Sequence, residues 1–159
     1  KTGRMVRVGI GSMNKDTSTP YSLRIEGLSD FGIATSGFGG RSFTLGLADV
    51  ATVVAENGAV ADAAATFVCN MTNCETDRVL RRKASDIDPL TDIPEELVTV
   101  SIGELDDNQV SLALANGLSA AERLRIEGLI YDAFILFRGH FVTTIDGERN
   151  IKLEVQEWK

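Results

Sequence analysis

The sequence predicts an α+β domain in which an antiparallel sheet carries helices packed on one face. Three features predict it. Short apolar or alternating runs are separated by turn-forming residues, an alanine-rich helical stretch follows residue 60, and a capped apolar stretch follows residue 106.

Val6, Val8 and Ile10 form one apolar row with Arg7 and Gly9 between them, a strand with one wet face. Gly11 to Pro20 holds Ser, Asn, Asp and Thr and reads as a loop. Ser22 to Ile25 is a second short strand, Gly27 to Asp30 a turn, and Phe31 to Ser36 a third strand. A glycine-rich loop, Gly37 to Gly40, closes on Arg41. Ala51 to Ala55 is an apolar run short enough for a buried strand, and Asn57-Gly58 then breaks the chain. Val60 to about Asn73 is alanine-rich, a helix able to pack closely. Residues 75 to 96 are polar, contain Pro89 and Pro94, and read as a connector with little regular structure. Leu97 to Ile102 is a strand. Asp106 and Asp107 cap a helix beginning near Asn108, with apolar faces from Val110, Leu112, Leu114, Leu118, Leu124 and Ile126. Gly117 is expected to break or bend it before Ser119 recaps a second segment. Ala133 to Phe137 and Phe141 to Ile145 flank Arg138-Gly139-His140 as a hairpin, and Ile151 to Trp158 alternates as a last strand.

The 159 residues suffice for one domain with a core, and the 43% apolar and 25% charged content is ordinary for a globular protein. A formal net charge of −7 opposes the phosphate backbone of nucleic acid and the surface of an anionic membrane. The dense basic stretch, Arg78, Arg81, Arg82 and Lys83, lies beside Asp77 and Asp86 and reads as a solvated helix end. No apolar run is long enough to span a bilayer. Cys69 and Cys74 with a single His do not make a zinc knuckle; they read as buried thiols in a reducing, cytoplasmic setting.

Two stretches can carry chemistry. In Ala61-Asp62-Ala63-Ala64-Ala65-Thr66, a helix places Asp62 and Thr66 one turn apart on one face, where a carboxylate and a hydroxyl can ligate a hard cation such as magnesium. On the residues alone the ordinary reading is a helix whose small side chains pack on a sheet. In Thr35-Ser36-Gly37-Phe38-Gly39-Gly40-Arg41, a strand ends in hydroxyls, then glycines, then a guanidinium, which together can surround a phosphate. The ordinary reading there is a tight connection in which glycine supplies positive φ. His140, at the hairpin tip, lacks an obvious partner, Cys69 has no evident activating base, and Asp86 to Pro89 reads as turn chemistry. No catalytic residue is assigned.

Taken together, Ala34-Thr35-Ser36-Gly37, the strand Thr52-Val53-Val54 and the helix motif Ala61 to Thr66 resemble the ApbE-like superfamily, which contains the FAD:protein FMN transferases. The resemblance implies a T-fold-like architecture. It implies Asp62 and Thr66 as magnesium ligands. It places Thr35, Ser36 and Gly37, with Gly39, Gly40 and Arg41 of the loop, beside a flavin dinucleotide (FAD) or related nucleotide. The transferases carry a His-containing segment ending in Asp-Pro between the two motifs; here Phe38 to Asp49 has no His, and Asp88-Pro89 falls after the helix. Gly39-Gly40-Arg41-Ser42-Phe43 is similar instead to an uncharacterised branch of the superfamily. The resemblance covers most of residues 5 to 145. It further implies that 1–159 is a single domain lacking an N-terminal portion, which is expected to be absent, disordered or a separate chain. Surface left open by that loss is expected to be covered by the rest of the polypeptide or by a second copy in a homo-oligomer. The function expected is nucleotide binding with a metal, possible transferase activity resting on the resemblance alone; the other expectation is a non-catalytic binding or assembly protein with the same fold.

Overall fold

A computed structural model describes residues 5–11, 21–147 and 150–155. Its nine strands and two α-helices run β1 (Val6–Gly9), β2 (Tyr21–Ile25), β3 (Gly32–Ser36), β4 (Val50–Ala55), α1 (Gly58–Met71), β5 (Val79–Lys83), β6 (Leu97–Ile102), α2 (Asp107–Ile126), β7 (Asp132–Phe137), β8 (His140–Thr143) and β9 (Ile151–Val155). The mixed α+β class is as the sequence predicts, and every strand pair is antiparallel. Residues 12–20 of the predicted loop and residues 156–158 of the predicted last strand lie outside the described residues.

The centre is a four-stranded sheet ordered β3-β4-β7-β8. Strands β4 and β7 are buried along their whole length, which is why they read as continuous apolar runs without alternation. Their side chains still divide by the pleat. Ala51, Val53, Ala55, Ala133, Ile135 and Phe137 face one way, against α1 and α2. Val50, Val54, Phe134 and Leu136 face the other, against Ile10, just past β1, and against Leu23, Ile25 and Ile151 of a second sheet, β1-β2-β9. Both helices therefore lie on one face, as expected, and a three-stranded sheet covers the reverse face.

Helix α1 begins at Gly58, two residues before the predicted start. Asn57 does more than break the chain: its Oδ1 accepts the Val60 N–H at 3.0 Å and caps the helix. The buried stripe is Ala61, Ala64, Ala65, Val68 and Cys69, so small residues let the helix sit close on β3 and β4.

Helix α2 starts at the predicted cap. Asp106 accepts the Gln109 N–H at 2.8 Å, and Gln109 Oε1 accepts the Asp106 N–H in return. The expected break at Gly117 does not occur; the helix runs unbroken from 107 to 126. A Cβ at Gly117 would stand 2.3 Å from Thr72 Oγ1 and 3.1 Å from Ile135 Cδ1, so this glycine serves close approach of α2 to the end of α1 and to β7. The buried face is correspondingly small, made by Val110, Ala113, Leu114, Gly117, Ala120 and Ala121. Leu112 and Ile126, assigned to the apolar faces above, are 51% and 86% exposed.

The connector is also corrected. Residues 79–83 form a strand paired with β6, so Arg81, Arg82 and Lys83 lie on a hairpin and not on a helix end. Leu80 pairs with Ser101 and Arg81 with Thr99, so the extra residue of the bulge is Val100 of β6. Strand β5 itself escapes motif reading because Arg81 takes a half-buried position while Leu80 is 54% exposed. Arg81 ties it inward by donating to Asn73 Oδ1 at 2.9 Å.

Candidate functional site

Strand β3 is an edge strand, and its register with β4 pairs Ser36 with Ala51. The chain must then turn away from β4 at Gly37. A Cβ there would lie 2.2 Å from the Asp49 carbonyl oxygen, so only glycine allows this approach. Phe38 donates its N–H to Ala48 O at 2.7 Å, and Gly40 donates to Gly37 O at 3.1 Å across Gly39, whose φ is +84°. Two N–H groups of the glycine loop are therefore used by the fold and are not available to cradle a phosphate.

This turn walls a cleft of about 220 Å³ lined by Gly11, Thr35, Ser36, Gly37, Phe38, Gly40, Arg41 and Asp49. Five of the six nucleotide-contacting residues expected from the resemblance lie in it; Gly39 sits at the exposed turn behind. Thr35 and Thr52 hydroxyls share a hydrogen bond of 2.9 Å. The cleft is smaller than the roughly 300–1,000 Å³ typical of a site enclosing a whole small-molecule ligand. It fits a fragment such as one phosphate with adjoining hydroxyls.

Gly11, Phe38 and Asp49 are the cleft residues that motif reading missed, and Asp49 is the charged one. It lies just ahead of β4, and only the β3–β4 register carries it opposite Phe38. The signal available was an acidic residue directly before an apolar strand. Its Oδ2 accepts the Arg138 N–H at 2.7 Å. Burial raises its pKa above the ordinary carboxyl value, against the Arg138 N–H and the Arg138 charge, which lower it. A carboxyl group that holds its proton more tightly when folded contributes stability that is present below the unfolded-state pKa of about 3.9 and is lost as pH rises through the higher folded value. Asp49→Asn keeps an oxygen acceptor and removes the charge. We expect it to melt higher than the wild type at pH 7, with the gap closing as pH falls toward 3.9; thermal melts across that range would check this, and a variant that melts lower at pH 7 would count against it.

Asp62 and Thr66 share the exposed side of α1, as the helical spacing predicts. Neither lines the cleft. Among the described residues no group of three or more His, Cys, Asp or Glu is placed to hold a metal. A lone carboxylate and hydroxyl do suit magnesium in the way it is most often held, by one or two protein oxygens with water and substrate phosphate completing the shell. Beside them, Ala59, Val60, Ala63, Ala64, Phe67, Leu124 and Leu129 line an almost wholly apolar hollow of about 420 Å³ between α1 and α2. Sequence reading did not identify this hollow.

Cys69 and Cys74 are free and buried, as expected. Burial pushes the Cys69 thiol up, against hydrogen bonds from Thr44 and Ser36, so it is not an activated nucleophile. His140 is exposed at the start of β8, beside the turn. No helix of the described residues is long and apolar enough to cross a membrane.

A family model described as "AbpE bacteria" matches residues 1–143. A curated relative, "UPF0280 protein" of Methanospirillum hungatei JF-1, is 39% identical over 89 residues, which cover 55% of this chain and 36% of that protein. No solved structure matches.

Proposed function

Because the chain belongs to the family described as AbpE bacteria, we propose that it is an ApbE-like protein that binds a flavin or another phosphate-bearing nucleotide together with a divalent cation. The observation that carries this reading is the gathering of Thr35, Ser36, Gly37, Gly40 and Arg41 into one cleft at the end of β3. Arg41 supplies the cation for a phosphate oxygen, and the hydroxyls of Thr35 and Ser36 supply neutral donors. Asp62 and Thr66 are the magnesium ligands of this reading. Bound magnesium would neutralise phosphate charge and orient the group. A group transfer of the FMN-transferase kind is its strongest form and rests on the motif resemblance alone.

The small cleft implies that more of the nucleotide is held elsewhere. A segment N-terminal to the matched region, of the kind the transferases carry, would complete the site. The free thiols suit a cytoplasmic setting. The apolar hollow between α1 and α2 favours a second reading, a non-catalytic protein that assembles with a copy of itself through that face.

A thermal-shift titration with FAD, with and without magnesium, separates the two. At a ligand concentration about 100 times the dissociation constant, binding adds roughly 2.7 kcal/mol to wild-type stability. We expect a magnesium-dependent shift that Asp62→Ala abolishes. A wild type indifferent to FAD under all conditions moves the weight to the assembly reading.

A further inference from the structure

We propose that Asp49 is the specificity-determining residue of the cleft, accepting a hydrogen bond from a ligand hydroxyl or amine while Arg41 takes the ligand's anionic group. The ligand class is then a phosphorylated polyol or ribose, not a bare phosphate. This deepens the nucleotide-binding reading and rests on it.

The first support is placement. Asp49 and Arg41 line the same cleft, so one acidic and one basic residue border a single small hollow. An ionised carboxylate only accepts hydrogen bonds, and it repels a phosphate set directly against it. An anion must therefore sit on the Arg41 side. Whatever meets Asp49 must donate.

The second support is how Asp49 is held. Its Oδ2 is engaged by a backbone N–H, which fixes the carboxyl and leaves Oδ1 its full acceptor capacity. The nearby guanidinium lowers the Asp49 pKa through its charge but forms no ion pair with the carboxylate among the described residues. Arg138 spends that group on the carbonyl oxygens of Gly103, at 2.6 Å, and Ile102, at 3.2 Å. Among the described residues Asp49 forms no salt bridge. Oδ1 is not among the buried unpartnered side-chain atoms of the described residues, so water can reach it and a ligand donor can take that water's place.

The third support is the turn that supplies the N–H. Arg138 is the non-glycine residue with positive φ among the described residues, at 50°, followed by Gly139 at 78°. Two-residue hairpin turns of this kind ordinarily place Asn or Gly at the first position. An arginine there accepts left-handed strain, and the two bonds of its guanidinium to the end of β6 offset it. The result is a rigid donor aimed at Asp49. Arg138 is thus a positioning residue acting through Asp49.

The experiment is calorimetric titration of the whole chain, wild type, Asp49→Asn and Arg41→Ala, with inorganic pyrophosphate and with ribose 5-phosphate. Melting curves confirm that each variant is folded, and Asp49→Ala serves as a second test of the same position. We expect the wild type to prefer ribose 5-phosphate. Asp49→Asn should lose about tenfold in affinity for ribose 5-phosphate, a loss of one good hydrogen bond to a charged group, while pyrophosphate binding holds or improves. Arg41→Ala should weaken both. Equal weakening of both probes by Asp49→Asn, no weakening of either, or a wild type that binds neither probe would overturn the proposal. If both probes behave as expected and FAD does not bind, the flavin reading fails and this one stands. If FAD binds equally to wild type and Asp49→Asn, the reverse holds.

Discussion

Phe134→Ala is expected to lower unfolding stability by about 3–5 kcal/mol, the largest effect of any single change considered for this chain. Phe134 is fully buried on β7 and faces the three-stranded sheet. Its ring centroid lies 5.1 Å from that of Tyr21 and 5.5 Å from that of Phe141. Tyr21 belongs to β2 and Phe141 to β8, so one ring joins the two sheets and the neighbouring edge strand. Truncation removes the apolar burial of the ring and leaves a void that the apposed sheets cannot close without losing other contacts. The aromatic pairs add about 0.5–1.5 kcal/mol each beyond area. Urea unfolding would check the effect through a lower midpoint at unchanged slope. A loss under about 1 kcal/mol would mean that the second sheet is not packed on this face as described.

Gly32→Ala is expected to cost about 3 kcal/mol, the upper part of the range for overpacking. A Cβ on Gly32 would lie 2.1 Å from Asn57 C, 2.2 Å from Gly58 N and 2.3 Å from Asn57 O. These are backbone atoms, and no rotamer change can relieve them. The start of α1 must lift off β3, which also disturbs the Asn57 cap. Asp62 and Thr66 ride on that helix, so the magnesium-dependent shift with FAD should fall along with stability. Gly58→Ala is the control on the opposite side of the same contact, where only the backbone N of Gly58 is involved. A Cβ there meets nothing within 4 Å, so it should be neutral or slightly stabilising. Equal behaviour of the two variants in urea unfolding would refute the close packing of α1 on β3.

Much of this architecture is legible in the residues, for reasons that differ by element. Strand β6 and the start of α2 match because their signals are local: an apolar alternating run, and a side chain that caps the N–H three residues on. Strand β5 is invisible because its five residues put Leu80 on the exposed side and Arg81 on the half-buried side, so residue polarity does not follow the pleat. Gly117 misleads because glycine is equally a helix breaker and the residue for close approach; only the position of Thr72 decides. The Thr35 to Arg41 loop is contiguous, and most of it reaches one cleft. Asp49 joins it through pairing of β3 with β4, information carried by register and not by any motif. Asp62 and Thr66 share a face as helical geometry requires, but spacing within one helix says nothing of what stands across from it.

The pairing of β2 with β9 has a consequence for the newborn chain. Tyr21 to Ile25 align with Val155 to Ile151, residues separated by most of the sequence. On the ribosome β2 emerges well ahead of β9 and has β1 beside it, yet its other edge has no mate until residues 151–155 have been synthesised. Until then the face bearing Val50, Val54, Phe134 and Leu136 has only part of its cover. Translation thus passes through a stage with a sticky apolar surface and an open strand edge, and that stage is where a chaperone would act or where premature stopping would leave an aggregating product.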